Sequence, residues 1–445
     1  MNWEKLLSTQ RTGQDALPDS HHDRTQFQRD FDRLIFSSPF RRMQDKTQVF
    51  PLPGSVFVHN RLTHSLEVAS VGRSMGNNIS RFLKEEIKVN SPLVDELGAV
   101  TAAACLAHDM GNPPFGHSGE KAISHFFKSG EGKKYRDEVK DEAVWNDFVD
   151  FEGNANAFRL LTHQFNGRRK GGFRMTYTTI ASIVKYPYAS GDEKLKKYGY
   201  FQSELTSYHH IAQTLGIPEI SNSPSQYARH PLVYLVEAAD DICYQIMDIE
   251  DAHKLGILSF EHTKKLLLAF FADDSATLNR LHEVCASVTD LNEQIAFLRA
   301  SVIGKLVELS TAIFIENHDQ IMRGEFSGSL VKHLKGDASE AMNRCAKTGF
   351  ELIYRHPSVV EIEISGFKIL GSLLKEFTRA VMNPKDGYSG LLLPFIPQQY
   401  KVEETAPAAL RIQTVLDFVS GMTDVYALDL FRKINGIGLA DKRFN

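Results

Sequence analysis

Cysteine is scarce in this 445-residue chain, which has four cysteines and no CxxC pair. Cys105, Cys243 and Cys285 lie in apolar segments with helical spacing, where a buried, reduced thiol is the usual state. A disulfide framework and a cysteine-rich zinc site are therefore not expected. This use of cysteine is typical of a reducing compartment, and we expect a cytoplasmic protein.

Long apolar runs are also missing. The first residues, MNWEKLLSTQRTGQD, lack the apolar core of a signal peptide, and no stretch reaches the roughly 18 apolar residues of a membrane span. Neither sign of charge dominates, since 51 Lys and Arg face 55 Asp and Glu. We expect no membrane association. Binding of nucleic acid would need a local basic patch, for which PFRRMQDK and NGRRKGGFR are the candidates.

Three common catalytic motifs are absent from the sequence. The segment GEGKKY lacks the spacing of a P-loop, no dinucleotide-binding glycine fingerprint occurs, and there is no GxSxG nucleophile elbow. These absences disfavour P-loop NTPases, dinucleotide-dependent enzymes and serine hydrolases of the α/β type.

Helical periodicity is the dominant pattern that is present. Apolar residues three and four positions apart predict helices over residues 62–83, 93–110, 231–255 and 291–314. Alternation is confined to residues 57–58 and to 359–364 (VVEIEI), which we predict as short strand candidates. The chain is therefore predicted to be all-α. We expect an N-terminal segment (1–60) that ends after a turn at 51–54, a catalytic core (61–256) and a C-terminal helical region (257–445).

Asp240 lies in the predicted helix HPLVYLVEAADDICYQIMDIEDAHKLG. Pro231 suits the first turn of this helix and Gly256 its end. Because most of the helix is apolar, an ionised carboxylate within it needs a charged partner or a metal ion. At about 100° per residue, Asp240, Tyr244 and Asp248 share one face. The structural alternative is a buried Arg or Lys beside each acid.

A metal site is predicted from residues on three separate helices. His108 and Asp109 close the segment LGAVTAAACLAHDMGNPP, and His64 lies near the start of NRLTHSLEVASVG. Each of these residues alone is weak support. Together with Asp240 they offer two imidazoles and two carboxylates, a set suited to Mn, Fe, Co or Ni and less naturally to Mg.

The turn GNPPFGHSGE follows the His-Asp pair. Its two prolines stiffen the backbone before a new helix that we expect to begin near Ser118. His117 and Glu120 are three residues apart, so the carboxylate can orient the imidazole and raise its basicity. The alternative is a simple helix cap with an incidental histidine.

The series His…His-Asp…Asp resembles the metal site of the HD-domain phosphohydrolase superfamily. Longer strings narrow the resemblance: FQRDFDRLIFSSPFRRMQDKTQVFP, NRLTHSLEVA, AHDMGNPPFGHSGE, FEGNANAFRLL, EAADDICYQIMDIEDA and VSGMTDVYALDLFRKI. Together these strings are similar to the deoxyguanosinetriphosphate triphosphohydrolase (dGTPase) family. They cover nearly the whole chain. This sequence is shorter through the middle than the best-known members, so base preference and regulation stay open.

The resemblance implies a fold and a set of roles. The fold is an HD-domain helical bundle with the metal site at its centre and a C-terminal helical lobe. The implied metal ligands are His64, His108, Asp109 and Asp240, and the implied catalytic pair is His117 with Glu120. The implied substrate-binding residues are Gln48, Arg61, Lys185, Tyr186, Tyr244 and Asp248, of which Tyr244 would crowd the 2′ position and Asp248 would bind the 3′-hydroxyl.

The implied activity is a metal-dependent dNTP triphosphohydrolase that converts dGTP and water to deoxyguanosine and tripolyphosphate. The implied cofactor is a divalent metal (Mn²⁺, Mg²⁺, Fe²⁺, Co²⁺ or Ni²⁺), and the implied assembly is a homo-oligomer, with a hexamer as the candidate size. One alternative is another HD-domain phosphohydrolase, such as a 5′-nucleotidase or a cyclic-nucleotide phosphodiesterase. The other is a dNTPase of broad base specificity that also binds single-stranded DNA.

Overall fold

The computed structural model describes residues 1–14, 23–50, 57–191, 197–220 and 226–437. Within these ranges the regular structure is helical, and strand-like pairing is limited to isolated β-bridges such as the one between Thr47 and Asn60. The prediction of an all-α protein is confirmed. The predicted turn at residues 51–54 lies outside the described residues.

The helices of the first part of the chain lead up to the helix that carries Asp240. They are α1 (Trp3–Leu6), α2 (Gln26–Ile35), α3 (Ser38–Arg42), α4 (Arg61–Phe82), α5 (Leu97–Ala107), α6 (Gly116–Lys128), α7 (Glu142–Val149), α8 (Gly153–Thr162), α9 (Tyr177–Ile183), α10 (Leu205–Leu215) and α11 (Pro231–Lys254).

The remaining helices form the C-terminal part of the described chain. They are α12 (Phe260–Leu268), α13 (Ser275–Ser287), α14 (Leu291–Glu316), α15 (His318–Arg323), α16 (Gly336–Thr348), α17 (Pro357–Met382), α18 (Gly387–Leu392), α19 (Ala408–Ser420) and α20 (Asp424–Ile434).

Helices α4, α5 and α11 pack against one another at the centre of the larger hydrophobic core. Small residues bring α4 and α5 close together: a Cβ at Gly76 would lie 2.3 Å from Thr101 Oγ1, and one at Gly72 would lie 2.5 Å from Cys105 Sγ. Side chains larger than glycine would therefore force the two helices apart. This close packing places the start of α4 beside the end of α5.

A second hydrophobic core lies on the other side of the predicted catalytic turn. In it α17 packs against α6, α19 and α20, and α6 also packs against α7. The turn 108–115 joins α5, in the first core, to α6, in the second. Its residues therefore lie where the two cores meet.

Both strand candidates are wrong. Residues 359–364 lie within α17, and residues 57–58 are irregular. Pro357 occupies the first turn of α17, where its missing N–H is not needed. Val359 is buried, whereas Ile364 is largely exposed, as expected for a helix with one face against the protein. A pattern of six residues is too short to distinguish a helix with one buried face from a strand.

The helix boundaries differ from prediction by a few residues. The segment predicted as one helix over 93–110 is a 3₁₀ turn (Pro92–Glu96) followed by α5, which ends at Ala107 before the His-Asp pair. Helix α6 begins at Gly116, two residues before the expected start. Among the described helices, none is long and apolar enough to cross a bilayer. The domain boundaries proposed at residues 60 and 256 stay predictions.

Candidate metal centre and nucleotide cleft

The structure brings the four predicted metal ligands together from α4, the end of α5 and α11. His64, His108 and Asp109 each present a ligand atom within 4.8 Å of the others. Asp240 completes the group, because its Oδ1 lies 3.1 Å from His64 Nε2 and 3.4 Å from His108 Nε2. Among the described residues, no Lys or Arg pairs with Asp240, so the buried-cation alternative does not account for this carboxylate.

Asp109 is held from two sides. The Arg61 guanidinium donates to its Oδ2 over 2.6 Å, and the Asn112 side-chain amide donates to its Oδ1 over 2.5 Å. Arg61 is the first residue of α4 and Asn112 follows in the turn after α5. These two hydrogen bonds therefore fix the orientation of the carboxylate before any ion binds, as hydrogen-bond partners of metal ligands commonly do.

The tautomer of His108 provides a test of whether a cation fits here. Its Nδ1 lies 2.6 Å from the carbonyl oxygen of Cys105, so Nδ1 donates and Nε2 presents a lone pair. Nε2 is buried without a hydrogen-bond partner, and carboxylate oxygens of Asp109 and Asp240 lie 3.7 and 3.4 Å away. In the neutral ring, this lone pair faces two carboxylates and needs a cation between them; in the charged ring, a proton on Nε2 takes that place. The four side chains therefore fit a divalent metal ion.

The electrostatics of the cluster lead to the same requirement. Burial disfavours a charged His108, but the carboxylates of Asp109 and Asp240 outweigh it and raise the pKa of His108 to about 9. Burial likewise acts to raise the pKa of Asp240, but His108 and His64 hold it well below its usual value. Without a metal, a proton on the imidazoles balances the carboxylates; a divalent ion supplies the same positive charge.

His117 and Glu120 form the predicted pair. The His117 imidazole is 74% exposed on the cleft side of α6, and its Nδ1 lies 2.7 Å from Glu120 Oε2. The other oxygen of Glu120 accepts the N–H of Gly153 over 2.8 Å. The hydrogen bond with Glu120 raises the pKa of His117. Glu120 thus orients the ring so that the opposite nitrogen, Nε2, is available to a ligand.

A cleft of about 710 Å³ extends from the metal cluster past His117. This volume is in the usual range for small-molecule sites. Of the predicted substrate-binding residues, the structure brings five to its wall: Gln48, Arg61, Lys185, Tyr186 and Tyr244.

Basic side chains surround the ring of Tyr186 on this wall. The Nζ atoms of Lys185 and Lys197 lie 5.8 and 5.9 Å from the ring centroid, and the Arg229 guanidinium carbon lies 6.0 Å from it. Glu237 pairs with both Lys185 and Arg229 at 3.0 Å. Arg61 points to Asp109, so its predicted phosphate contact would be shared with this ion pair.

The sixth predicted substrate residue, Asp248, is not on the wall of the main cleft. It lines a smaller adjoining pocket, and its Oδ2 accepts the hydroxyl of Tyr354 over 2.7 Å. The Tyr354 ring stacks on Tyr244 with centroids 5.9 Å apart and lines both cavities. Burial raises the pKa of Asp248 to about 7. Tyr354 therefore separates Asp248 from the cleft.

Sequence reasoning missed several residues of the cleft: Asn112, Glu152, Asn154, Lys197, Glu237, Asp241 and Tyr354. Asn112 stands within the quoted string AHDMGNPPFGHSGE, three residues from Asp109, and its amide type could have marked it. Tyr354 lies 106 residues from its partner Asp248, so no local pattern indicates it.

Comparison with known proteins defines the class first. The chain matches the HD domain over residues 61–251 and the phosphohydrolase-associated domain over residues 333–433. The first match contains the four clustered residues, and the second contains most of the α16–α20 region. The fold and the site therefore define a metal-dependent hydrolase of the HD-domain class.

The relatives define the family. The chain is 36% identical to a "deoxyguanosinetriphosphate triphosphohydrolase-like protein" of Synechocystis sp., covering 99% of this chain and 100% of that protein. It is 37% identical to a protein of the same name from Pseudomonas aeruginosa, covering 98% and 99%. A "deoxyguanosinetriphosphate triphosphohydrolase" of Yersinia pseudotuberculosis is 28% identical, covering 92% and 93%. The chain belongs to the deoxyguanosinetriphosphate triphosphohydrolase-like family.

Proposed function

We propose that this protein hydrolyses deoxynucleoside triphosphates to a deoxynucleoside and tripolyphosphate, with dGTP as the first substrate to test. The observation that carries the proposal is the cleft, which joins the His64, His108, Asp109 and Asp240 cluster to the basic wall around Tyr186. A triphosphate carries about four negative charges. To bind, it needs both a metal ion and basic side chains to neutralise that charge.

The four clustered side chains would hold the metal ion, for which Mn²⁺, Mg²⁺, Fe²⁺, Co²⁺ and Ni²⁺ are the candidates. Two imidazoles and two carboxylates favour the transition metals of this set over Mg²⁺. When bound, a divalent ion stabilises phosphate charge as a Lewis acid and acidifies water near neutral pH. Arg61 and Asn112 keep Asp109 in place for this role.

We assign His117 the proton transfer. Water attacks the α-phosphorus, the bond from that phosphorus to O5′ breaks, and O5′ leaves with a proton as the deoxynucleoside hydroxyl. His117 Nε2 either takes the proton from water or supplies one to O5′. Glu120 supports both roles, because its carboxylate on Nδ1 stabilises the charged imidazole.

Substrate binding would use the cations on the wall and the side chains next to them. Lys185, with Lys197 beside the same ring, would bind the triphosphate, and Tyr186 would supply a flat apolar surface. Gln48 lines the cleft and has a buried side-chain oxygen without a hydrogen-bond partner among the described residues. A buried acceptor of this kind is satisfied by a ligand donor, such as a sugar hydroxyl or a base amino group.

Selection of deoxyribose would depend on the stacked rings of Tyr244 and Tyr354. A 2′-hydroxyl beside these rings would lose water without gaining a partner. Asp248, held by Tyr354, would bind the 3′-hydroxyl directly if that ring moves, and otherwise fixes the ring. This arrangement favours dNTPs as substrates. The alternative function is that of another HD-domain phosphohydrolase, such as a 5′-nucleotidase or a cyclic-nucleotide phosphodiesterase.

The test is to incubate metal-loaded protein separately with each of the four dNTPs and with GTP, and to identify products by ³¹P NMR and chromatography. We expect tripolyphosphate and a deoxynucleoside as products. GTP should be turned over at least about tenfold more slowly than the preferred dNTP. Orthophosphate or pyrophosphate as the product, or equal turnover of GTP, would exclude the proposal. Hydrolysis of nucleoside monophosphates or cyclic nucleotides alone would establish the alternative.

We further propose a homo-oligomer, with a hexamer as the candidate size, and binding of single-stranded DNA as a second activity. Large apolar side chains such as Phe36 and Leu391 are 70% and 69% exposed, and a contact between subunits would cover such side chains. Exposed Arg168, Arg169 and Lys170 support a polyanion contact. Light scattering and a salt-dependent DNA-binding assay test the two proposals separately.

A further inference from the structure

The string VSGMTDVYALDLFRKI has no role in the site as described so far. Its first acidic residue, Asp424, nevertheless contacts the turn 108–115 that precedes His117. Asp424 is the first residue of α20 and is only 8% exposed. Its Oδ1 accepts the backbone N–H of Phe115 over 2.9 Å, and its Oδ2 accepts the backbone N–H of Thr47 over 2.8 Å. One carboxylate therefore joins two segments that are 68 residues apart in the chain.

Each of these two segments leads directly into a predicted site residue that lines the cleft. Phe115 stands two positions before His117, and Thr47 stands immediately before Gln48. A second link runs beside the first: the buried ammonium of Lys46 donates to the carbonyl of Asn112 over 2.6 Å and to that of Ser420 over 3.0 Å. The C-terminal lobe thus contacts the turn directly at Phe115, and Lys46 bridges the lobe to the turn at Asn112.

The backbone that Asp424 holds is strained. Phe115 has φ +61°, in the left-handed region that bulky residues rarely adopt, and Gly116 follows with φ +56°. A bulky residue in this conformation is unfavourable and persists only where the surroundings impose it. The Phe115 ring also packs closely on α17, since a Cβ at Gly366 would lie 2.5 Å from its Cβ.

We propose that Asp424 is a positioning residue for the reaction: its carboxylate fixes the left-handed turn at Phe115–Gly116 and so sets the position of His117 in the cleft that Gln48 also lines. The role of His117 in this statement rests on the proposed function, whereas the two hydrogen bonds of Asp424 to Phe115 and Thr47 do not. Asp424 does not line the cleft, so it acts through the backbone of the residues that do. The matched region of the phosphohydrolase-associated domain would then be part of the catalytic apparatus.

The test compares Asp424→Asn with a matched control, Asp30→Asn. Asp30 is also buried, accepts the backbone N–H of Thr176 over 3.0 Å and pairs with a buried cation, Arg11, but it lies outside the cleft. An Asn at either position keeps the volume and loses one acceptor, so both variants should be destabilised.

In Asp424→Asn we expect kcat to fall about tenfold or more with bound metal unchanged, and the Phe115 amide to exchange hydrogen about tenfold faster. Prolines at 113 and 114 carry no amide, which makes Phe115 easy to resolve in a peptide of this turn by mass spectrometry. In Asp30→Asn we expect a lower urea midpoint, with kcat per folded molecule within about twofold of the unchanged protein and normal exchange at Phe115.

An unchanged kcat or unchanged Phe115 exchange in Asp424→Asn would overturn the proposal. So would an equal loss of kcat in the two variants, because that result would mean a general effect of stability. If the unchanged protein produces no tripolyphosphate, the proposed function fails, and the exchange measurement, made without substrate, still decides whether Asp424 holds the turn.

Discussion

At the scale of single residues, the groups that would hold the ion are distinct from the group that would move the proton. His64, His108, Asp109 and Asp240 lie at the junction of three helices, mostly buried, whereas the His117 ring projects into the cleft. The first set is held by Arg61, Asn112 and the Cys105 carbonyl, and His117 is held by Glu120. Substitutions should therefore separate metal binding from turnover.

Asp240→Asn should lower the metal content, and His117→Gln should leave it unchanged. Asp240→Asn removes the charge that faces both imidazoles, so we expect loss of bound metal and of activity together. His117→Gln leaves the metal cluster intact, so we expect full metal content with turnover reduced about 10²–10⁴-fold, the usual contribution of general acid–base catalysis. Metal is measured by inductively coupled plasma mass spectrometry on the same samples used for kinetics.

His125→Gln is the control for both variants. His125 is exposed on the same helix as His117 and pairs with Ser129, away from the cleft. It should retain metal and turnover. Near-normal turnover in His117→Gln would remove it from the catalytic assignment, and a normal metal content in Asp240→Asn would remove Asp240 from the ligand set.

Residues within short motifs could be predicted from sequence, and residues that act across the fold could not. The His-Asp pair and the His117–Glu120 spacing indicate chemistry within ten residues of sequence. Asp424, in contrast, resembles an ordinary helix-start acid, and its partners Phe115 and Thr47 are hundreds of residues away. Nothing local distinguishes a carboxylate that caps its own helix from one that holds another segment.

At the scale of elements, helix α11 depends on how its first turn is fixed. His230 caps this helix: its Nδ1 accepts the N–H of Leu232 over 3.2 Å, and its Nε2 lies 3.4 Å from the carbonyl of Leu6. The contact with Leu232 requires an unprotonated Nδ1 and the contact with Leu6 requires a proton on Nε2, so together they require the neutral imidazole. Burial lowers the pKa of His230 to about 4.

Stability should therefore fall on acidification because of His230. Between pH about 6.5 and 4 the unfolded chain binds a proton at this residue and the folded protein does not, so protons favour unfolding. The effect is about 2 kcal/mol at pH 5 relative to pH 7.5. His230→Asn retains an acceptor for the cap without titrating, so its free energy of unfolding should fall less over this interval.

Urea unfolding of metal-free protein at the two pH values measures the effect. EDTA in all samples removes the separate pH dependence of metal binding. The difference between the two proteins isolates His230 from the other histidines. An equal loss of stability in both on acidification would show that His230 does not carry the effect.

The long helices were predictable because their apolar periodicity extends over many turns. The helical structure of the segment 359–364 was not predictable, because its apolar residues alternate as in a strand. Over the whole of α17 the buried positions follow a helical pattern, which includes Ile369, Leu370 and Leu373. The short helices of the middle region depend on contacts between distant segments. Their propensities are too weak to indicate them from sequence alone.

At the scale of the whole molecule, the cleft lies where two hydrophobic cores meet. The larger core carries the three helices of the metal cluster, and the smaller carries α6 with His117 and the α17–α20 lobe. The turn 108–115 and the contacts of Asp424 and Lys46 connect the two. Relative movement of the two cores would therefore change the distance from the metal cluster to His117.

In the proposed reaction, water attacks the α-phosphorus of a dNTP and tripolyphosphate leaves intact. The most direct measurement is hydrolysis of dGTP in ¹⁸O-labelled water, with products analysed by mass spectrometry. We expect one ¹⁸O in the tripolyphosphate and none in the deoxyguanosine. Label in the deoxyguanosine, or products such as dGMP with pyrophosphate or dGDP with orthophosphate, would contradict it.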